Sequence, residues 1–211
     1  ETRRLQQEIY EMQKGEEVYL TGLELLMVML AGVSLPRPEY NKMMKDLIVA
    51  LKANGPRIKP KVRLLYTGGH ADNPEFFELL QQNDAHVVSD NTGFGTRAAD
   101  VLICEDGDPL EAIINYYFEE KPAATRQMGT QVERMERLLD LVKQYKADGV
   151  VASRLYMCDL WAFEHFLMRK RLHENNVPFL ELEVDYTPEG QGQIKTRVQA
   201  FVESLADRQT A

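Results

Sequence analysis

A chain of 211 residues that is 44% hydrophobic and 27% charged has an ordinary globular composition, enough for one large domain or a domain with a helical attachment. Its net charge of −8 argues against a nucleic-acid surface or an anionic membrane face, but not against a local basic pocket for a phosphate-bearing ligand. No apolar run approaches the ~20 residues of a membrane span, no signal peptide is legible, and two cysteines, Cys104 and Cys158, make no disulfide framework, so the expected compartment is the cytoplasm.

Leu5, Ile9 and Met12 form a helical stripe in Glu1–Lys14; a chain that opens at Glu1 already in a helix reads as a piece of something longer. Thr21, with Glu24 three positions on, is a capping-box pattern, and the helix behind it is expected to run Leu23–Ala31 and stop at Gly32. After Pro36 and Pro38 a third helix covers Glu39–Ala53, closed by Asn54-Gly55-Pro56. Residues 1–58 thus read as a helical lead-in. From residue 59 the pattern changes. Val62–Tyr66 reads as a strand ending at Gly68-Gly69, Pro74–Asn83 as a helix, and Ala85–Ser89 as a second strand followed by a glycine-bearing loop from Asp90 to Arg97. Pro109–Glu119 and Gln131–Lys146 are helices, Val150–Leu155 is a third strand, Leu160–Glu174 a helix, Pro178–Val184 a fourth strand and Ile194–Ala206 a final helix. This alternation predicts an α/β fold over residues 59–211: a Rossmann-like, doubly wound parallel sheet of four strands, for which right-handed crossovers favour the order 2-1-3-4.

Open α/β sheets bind ligands where the carboxyl ends of the strands meet the following helices. Asp90 and Asn91 follow the second strand, and Gly93-Phe94-Gly95-Thr96-Arg97 behind them could wrap an anion with Arg97 as the charge. The third glycine and immediate helix of a dinucleotide fingerprint are missing, and a tight loop with a surface arginine is the competing reading. Cys158 and Asp159 follow the third strand. A thiol there is a candidate ligand or nucleophile, with a core thiol as the alternative, and no CxxC or histidine pair stands near it. Asp159 is expected to cap the next helix and leave the Cys158 sulfur open to a cleft or chain boundary. Cys104, in the apolar run Val101–Cys104, is expected to be a buried inert thiol. His165 and His173 miss the i, i+4 spacing of a metal pair and read as surface or interface residues, while Trp161 and Phe163 read as core aromatics. Arg197, near the start of the last helix, opposes the helix dipole and is expected to pair with Asp185 or Glu183.

Several stretches, in order along the chain, together resemble one family. They are Gly95-Thr96-Arg97, Asp106-Gly107-Asp108-Pro109-Leu110-Glu111-Ala112, Tyr145-Lys146-Ala147-Asp148-Gly149-Val150-Val151 with Tyr156-Met157-Cys158-Asp159, Val177-Pro178-Phe179-Leu180-Glu181-Leu182-Glu183-Val184-Asp185-Tyr186, and Gly192–Glu203. The pattern is similar to the 2-hydroxyacyl-CoA dehydratases and benzoyl-CoA reductases, and covers what corresponds to the carboxyl-terminal half of such a subunit.

The resemblance implies an iron–sulfur subunit of a radical 2-hydroxyacyl-CoA dehydratase. Such an enzyme eliminates water from a 2-hydroxyacyl-CoA through a ketyl radical, after one-electron reduction by an ATP-dependent iron–sulfur activator. It implies a [4Fe-4S] cluster with Cys158 as one ligand and the others outside this chain, a related second subunit, and an acyl-CoA substrate for which Asp90, Asn91 and Arg97 are the binding candidates. The alternatives are a benzoyl-CoA-type reductase subunit, and a non-catalytic partner subunit or small-molecule-binding module without a cluster. The chain departs from the family pattern at two places where many members carry cysteine: Gly93 in the loop before Arg97, and Ala124 in Pro122-Ala123-Ala124-Thr125.

Overall fold

The computed structural model describes residues 1–69, 73–81, 84–185 and 191–210. Helices α1 (Thr2–Glu11), α2 (Gly22–Ser34) and α3 (Arg37–Asn54) come first. The capping box forms: Thr21 Oγ1 accepts from the Glu24 amide, and Glu24 Oε2 accepts from the Thr21 amide at 2.8 Å. Gly32 does not stop α2. The helix continues to Ser34 and ends where Leu35, the residue before Pro36, is forced into extended backbone.

Four strands come next: β1 (Val62–Gly68), β2 (Ala85–Asn91), β3 (Gly149–Leu155) and β4 (Phe179–Val184). Among the described residues they make one sheet in the order β2-β1-β3-β4, with every pairing parallel. The architecture is therefore the predicted one. The connecting helices are α4 (Pro74–Leu80), α5 (Thr96–Ala99), α6 (Pro109–Asn115), α7 (Gln131–Gln144), α8 (Asp159–Glu174) and α9 (Gln191–Thr210). Gln82 and Asn83 of the fourth predicted helix, and Tyr186 of the family pattern, lie outside the described residues. The helix expected over Pro109–Glu119 is regular only to Asn115 and widens into a π-helical turn over Tyr116–Glu120. That turn buries Tyr116 and leaves Tyr117 and Phe118 exposed.

Strand alternation divides the apolar residues between two cores. Leu65, Val88, Val150 and Ala152 point to the face covered by α1, α3, α7 and α8, while Leu64, Tyr66, Val87 and Val151 point to the face covered by α4 and α9. All seven β1 residues are buried, as expected for the inner strand of a parallel sheet covered on both sides. The lead-in helices share this packing, since Ile9, Tyr10, Met29, Met44 and Ile48 lie in the same core as Val150.

Four further sequence expectations change. Cys104 is exposed, because the apolar run before it is a coil along the outside and not a strand. His165 is fully buried. Trp161, His165, Met168 and Leu172 form one stripe of α8 that faces the sheet, and the His165 ring stacks edge-on against Trp161 and Phe179. The same geometry puts Phe163, about 200° round from Trp161, on the outer face, where it is 75% exposed. Glu183 pairs with Arg154 at 2.5 Å, and Arg197 donates to the Glu181 carbonyl at 2.7 Å.

Leu65→Ala should destabilise the chain by about 3 kcal/mol in urea unfolding, since it empties a fully buried position on the shared core, whereas Met43→Ala, on an exposed face of α3, should stay within about 0.5 kcal/mol. Equal effects would contradict the assignment of the core.

Candidate functional site

The two edges of the sheet are finished differently. At the amino edge Arg63 is buried and satisfied: Nε donates to the Tyr145 carbonyl at 2.9 Å, Nη2 to the Gln13 carbonyl at 2.9 Å, and Nη1 to the Glu16 carbonyl at 3.4 Å. The Asp148 carboxylate accepts from the Arg63 amide at 2.7 Å. These bonds hold the start of β1 to α7 and to the segment after α1.

At the carboxyl edge β2 runs into a tight loop built on Asp90. One Asp90 oxygen accepts from the Thr92 amide at 2.8 Å, the Thr92 hydroxyl at 2.7 Å and the Thr96 amide at 3.4 Å; the other accepts from the Tyr10 hydroxyl of α1. Burial pushes the Asp90 carboxyl above its ordinary value, and these hydrogen bonds work against the rise. The Tyr10 phenol is pushed well up, by burial and then by Asp90, and stays a donor. Gly95 lies directly on the carboxylate, and a Cβ there would overlap it, so only glycine lets the loop close this tightly. Asp90 therefore shapes the loop and turns its acceptors inward.

The loop delivers Arg97 into a cluster of arginines. Arg134, on α7, forms a bidentate pair with Glu164 of α8 at 2.7 and 2.8 Å. Arg137, also on α7, donates to Asn91 Oδ1 at 3.3 Å, Thr96 Oγ1 at 3.0 Å and Asp100 at 2.5 Å. Asn91 and the loop are thereby tied to α7. Arg97 differs from both neighbours: its Nε is buried with no hydrogen-bond partner, and no ion pair reaches its guanidinium among the described residues. Burial pulls its pKa down; Asp90 and Glu164 oppose this, and Arg137 and Arg134 add to it. A buried donor without a partner at the ligand-binding edge of an α/β sheet is poised for an acceptor from outside the chain. Gly93 sits beside this guanidinium, so a side chain there would rest at 3.4 Å from Arg97 Nη2.

Cys158 lies on the same edge. Because β2, β1 and β3 are parallel, the ends of β2 and β3 stand about 10 Å apart across β1. After Leu155 a turn through Tyr156 and Met157, with Met157 in the left-handed region at φ 59°, brings Cys158 to the N-cap of α8. The expected cap by Asp159 does not form; the turn shifts the register by one, and Asp159 becomes the first helical residue. The thiol is half-buried against the core, while Tyr156, Met157 and Asp159 around it are at least partly open to solvent. Helix α8 joins the two halves of the site. It follows directly on Cys158, packs Trp161 on Gly69 at the end of β1, and supplies the Glu164 that faces Arg97 and holds Arg134.

The model of the 2-hydroxyglutaryl-CoA dehydratase D-component family matches residues 1–205. The chain belongs to this family. It is 24% identical over 182 residues to the (R)-phenyllactyl-CoA dehydratase beta subunit of Clostridium sporogenes, covering 84% of this chain and 47% of that one. It is 22% identical over 208 residues to a benzoyl-CoA reductase subunit of Thauera aromatica, covering 97% of this chain and 54% of that one. To the (R)-2-hydroxyglutaryl-CoA dehydratase beta subunit of Acidaminococcus fermentans it is 23% identical over 186 residues, 84% and 48% respectively. The chain spans about half the length of the curated relatives it matches.

A cluster of the kind implied by the dehydratase resemblance needs three or four thiolates. Among the described residues no group of three or more His, Cys, Asp or Glu side chains is placed to hold a metal, and Cys104 is exposed in the coil after α5. The described residues therefore do not complete such a site by themselves. Sequence reasoning missed Tyr10, Arg134, Arg137 and Glu164. The last three are legible only as polar positions on two helices, and Tyr10 lies 80 residues from the carboxylate it binds. No helix among the described residues is long and apolar enough to cross a membrane.

Asp90→Asn should be tolerated near neutral pH, because an amide oxygen can serve the Thr92 and Thr96 donors while the amide nitrogen donates to Tyr10, whereas Asp90→Ala should cost about 3 kcal/mol by stranding them. The folded chain holds the Asp90 proton more tightly than the unfolded chain does. Its contribution is thus fully present below about pH 4 and declines as pH rises through the elevated folded value. Urea midpoints measured against pH should show Asp90→Asn gaining on the wild type as pH rises above about 4; a constant difference would contradict this.

Proposed function

We propose that the chain is part of an iron–sulfur subunit of a radical 2-hydroxyacyl-CoA dehydratase, an enzyme that eliminates water from a 2-hydroxyacyl-CoA. In this reading the elimination passes through a ketyl radical at the thioester, after one electron arrives from a separate ATP-dependent iron–sulfur activator. The observation that carries the reading is the meeting, on one sheet edge, of an arginine with an unpartnered buried donor and a cysteine at a helix start, in a chain that the dehydratase family model matches along residues 1–205.

Arg97 is assigned to the substrate. Its guanidinium suits the thioester oxygen, where negative charge develops, and donors fixed in place beforehand stabilise such charge without reorganising. Asn91 and Asp90 serve the substrate through the loop: Asn91 by tying it to Arg137, Asp90 by fixing its shape. Cys158 is one ligand of a [4Fe-4S] cluster whose other thiolates come from outside this chain; when bound, that group supplies low-potential one-electron chemistry. The enzyme is completed by a related second subunit, a reading supported by relatives named as beta subunits of dehydratases. The free thiols suit a reducing cytoplasm. A benzoyl-CoA-type reductase subunit is the second reading, favoured by the match to the Thauera aromatica protein along 97% of this chain.

In the intact subunit, purified without oxygen, Cys158→Ser should lower iron and acid-labile sulfide and abolish turnover while leaving circular dichroism unchanged. Arg97→Met should keep the iron and cut turnover about 100-fold. Full iron and normal activity in Cys158→Ser would reduce the cysteine to packing, and the metal assignment would fall with it.

A further inference from the structure

The inner stripe of α8 carries a histidine that packing alone does not require. His165 is fully buried, and neither of its ring nitrogens has a hydrogen-bond partner. Its ring stands edge-on to Trp161, centroids 6.0 Å apart, and to Phe179 of β4, 6.2 Å apart. Its companions on the stripe, Trp161, Met168 and Leu172, are apolar. An apolar ring would fill the place without stranding two polar atoms.

One carboxylate stands within reach. His165 Nδ1 lies 3.4 Å from Glu181 Oε1 of β4 without making a hydrogen bond to it. That carboxylate is already engaged: Arg169 of α8 donates to Oε2, and Arg154 of β3 stands 3.5 Å from Oε1. Arg154 also pairs with Glu183 at 2.5 Å. Two carboxylates thus balance two guanidinium groups, and a proton on His165 would add a buried positive charge with no counter-ion of its own. Burial pulls the imidazole below its ordinary value; Glu181 opposes this, and Arg154 and Arg169 add to it. The closed chain therefore holds this proton less tightly than an opened one. The packing is at full strength above about pH 6.5 and weakens as pH falls below that value.

We infer that His165 is an acid-sensitive catch that holds α8 on the sheet. Neutral, it lies against Trp161 and Phe179 and the helix stays down. Protonated, it lifts the first turns of α8 from β4, because the new charge is served only by water or by a Glu181 freed from its arginines. Trp161, one turn before His165, packs on Gly69, so its release loosens the end of β1 as well. Cys158 caps the same helix and Glu164 is the residue before His165, so opening the catch takes the carboxyl edge apart. The catch is built from contacts within this chain and operates whether or not the dehydratase reading holds.

The test is hydrogen–deuterium exchange read by mass spectrometry on the intact subunit, at about pH 7.5 and about pH 5.5, with rates corrected for the intrinsic effect of pH on exchange. In the wild type the amides of residues 162–168 exchange up to about tenfold faster at the lower pH, one unit below the ordinary histidine value, while those of Leu64–Tyr66 in β1 do not change. His165→Phe abolishes the response and keeps the rates of the higher pH; His165→Gln, neutral at both pH values, serves if the phenylalanine variant does not fold. A wild type with no such response overturns the catch. A response retained in a folded His165 variant overturns it as well and passes the effect to another group, such as the half-buried His86, which burial also pulls down.

Discussion

Asp90 receives hydrogen bonds from three parts of the chain at once: the first helix through Tyr10, its own loop through Thr92, and the start of α5 through Thr96. Buried carboxylates are costly unless well supplied with donors, and here four donors converge. The geometry of the carboxyl edge depends on this carboxylate. The loop closes over it only because Gly95 has no side chain, and that closure places Arg97 beside Arg137 and Arg134. The lead-in helices are consequently part of the site. Without α1, the carboxylate that shapes the loop would lose one of its donors.

Arg63 and Arg97 stand at opposite ends of the strands in opposite states. Both guanidinium groups are partly sealed from water and both are pulled down by burial. Arg63 donates to three carbonyls at the amino edge; Arg97 has a buried Nε without a partner at the opposite edge. Packing alone does not require an arginine left in that condition, and a hydrophobic residue of similar volume would cost less. Helix α8 connects the two loops, since it is capped by Cys158 and carries Glu164 under the arginine cluster.

Much of the scaffold is legible in the sequence because it rests on local rules. The four strands and their order follow from alternating apolar periods and right-handed crossovers, and the capping box at Thr21 follows from two residues three apart. The placements of Asn91, Arg97 and Cys158 on one edge follow from the same topology. The features that escape are either a face or a distance. His165 reads as a lone histidine when taken singly, although Trp161, His165, Met168 and Leu172 trace the inner face of a helix when counted together. Cys104 takes its expected burial from apolar neighbours that in fact line a coil. Tyr10 and Asp90 have no local signal at all, because their contact spans 80 residues and exists only once the first helix has docked. The family pattern points to Cys158 and Arg97 together; it does not point to the arginines of α7 that surround the second of these.

The central claim is that substrate binds across the carboxyl edge between the Asp90 loop and Cys158. Hydrogen–deuterium exchange on the intact enzyme, with and without an acyl-CoA and without reductant so that no turnover occurs, tests it most directly. Added acyl-CoA should slow exchange at the amides of Thr92–Arg97 and of Tyr156–Leu160, leaving the amino edge around Lys61, Arg63 and Asp148 unchanged. Protection confined to that amino edge, or absent from both carboxyl-edge segments, would contradict the account.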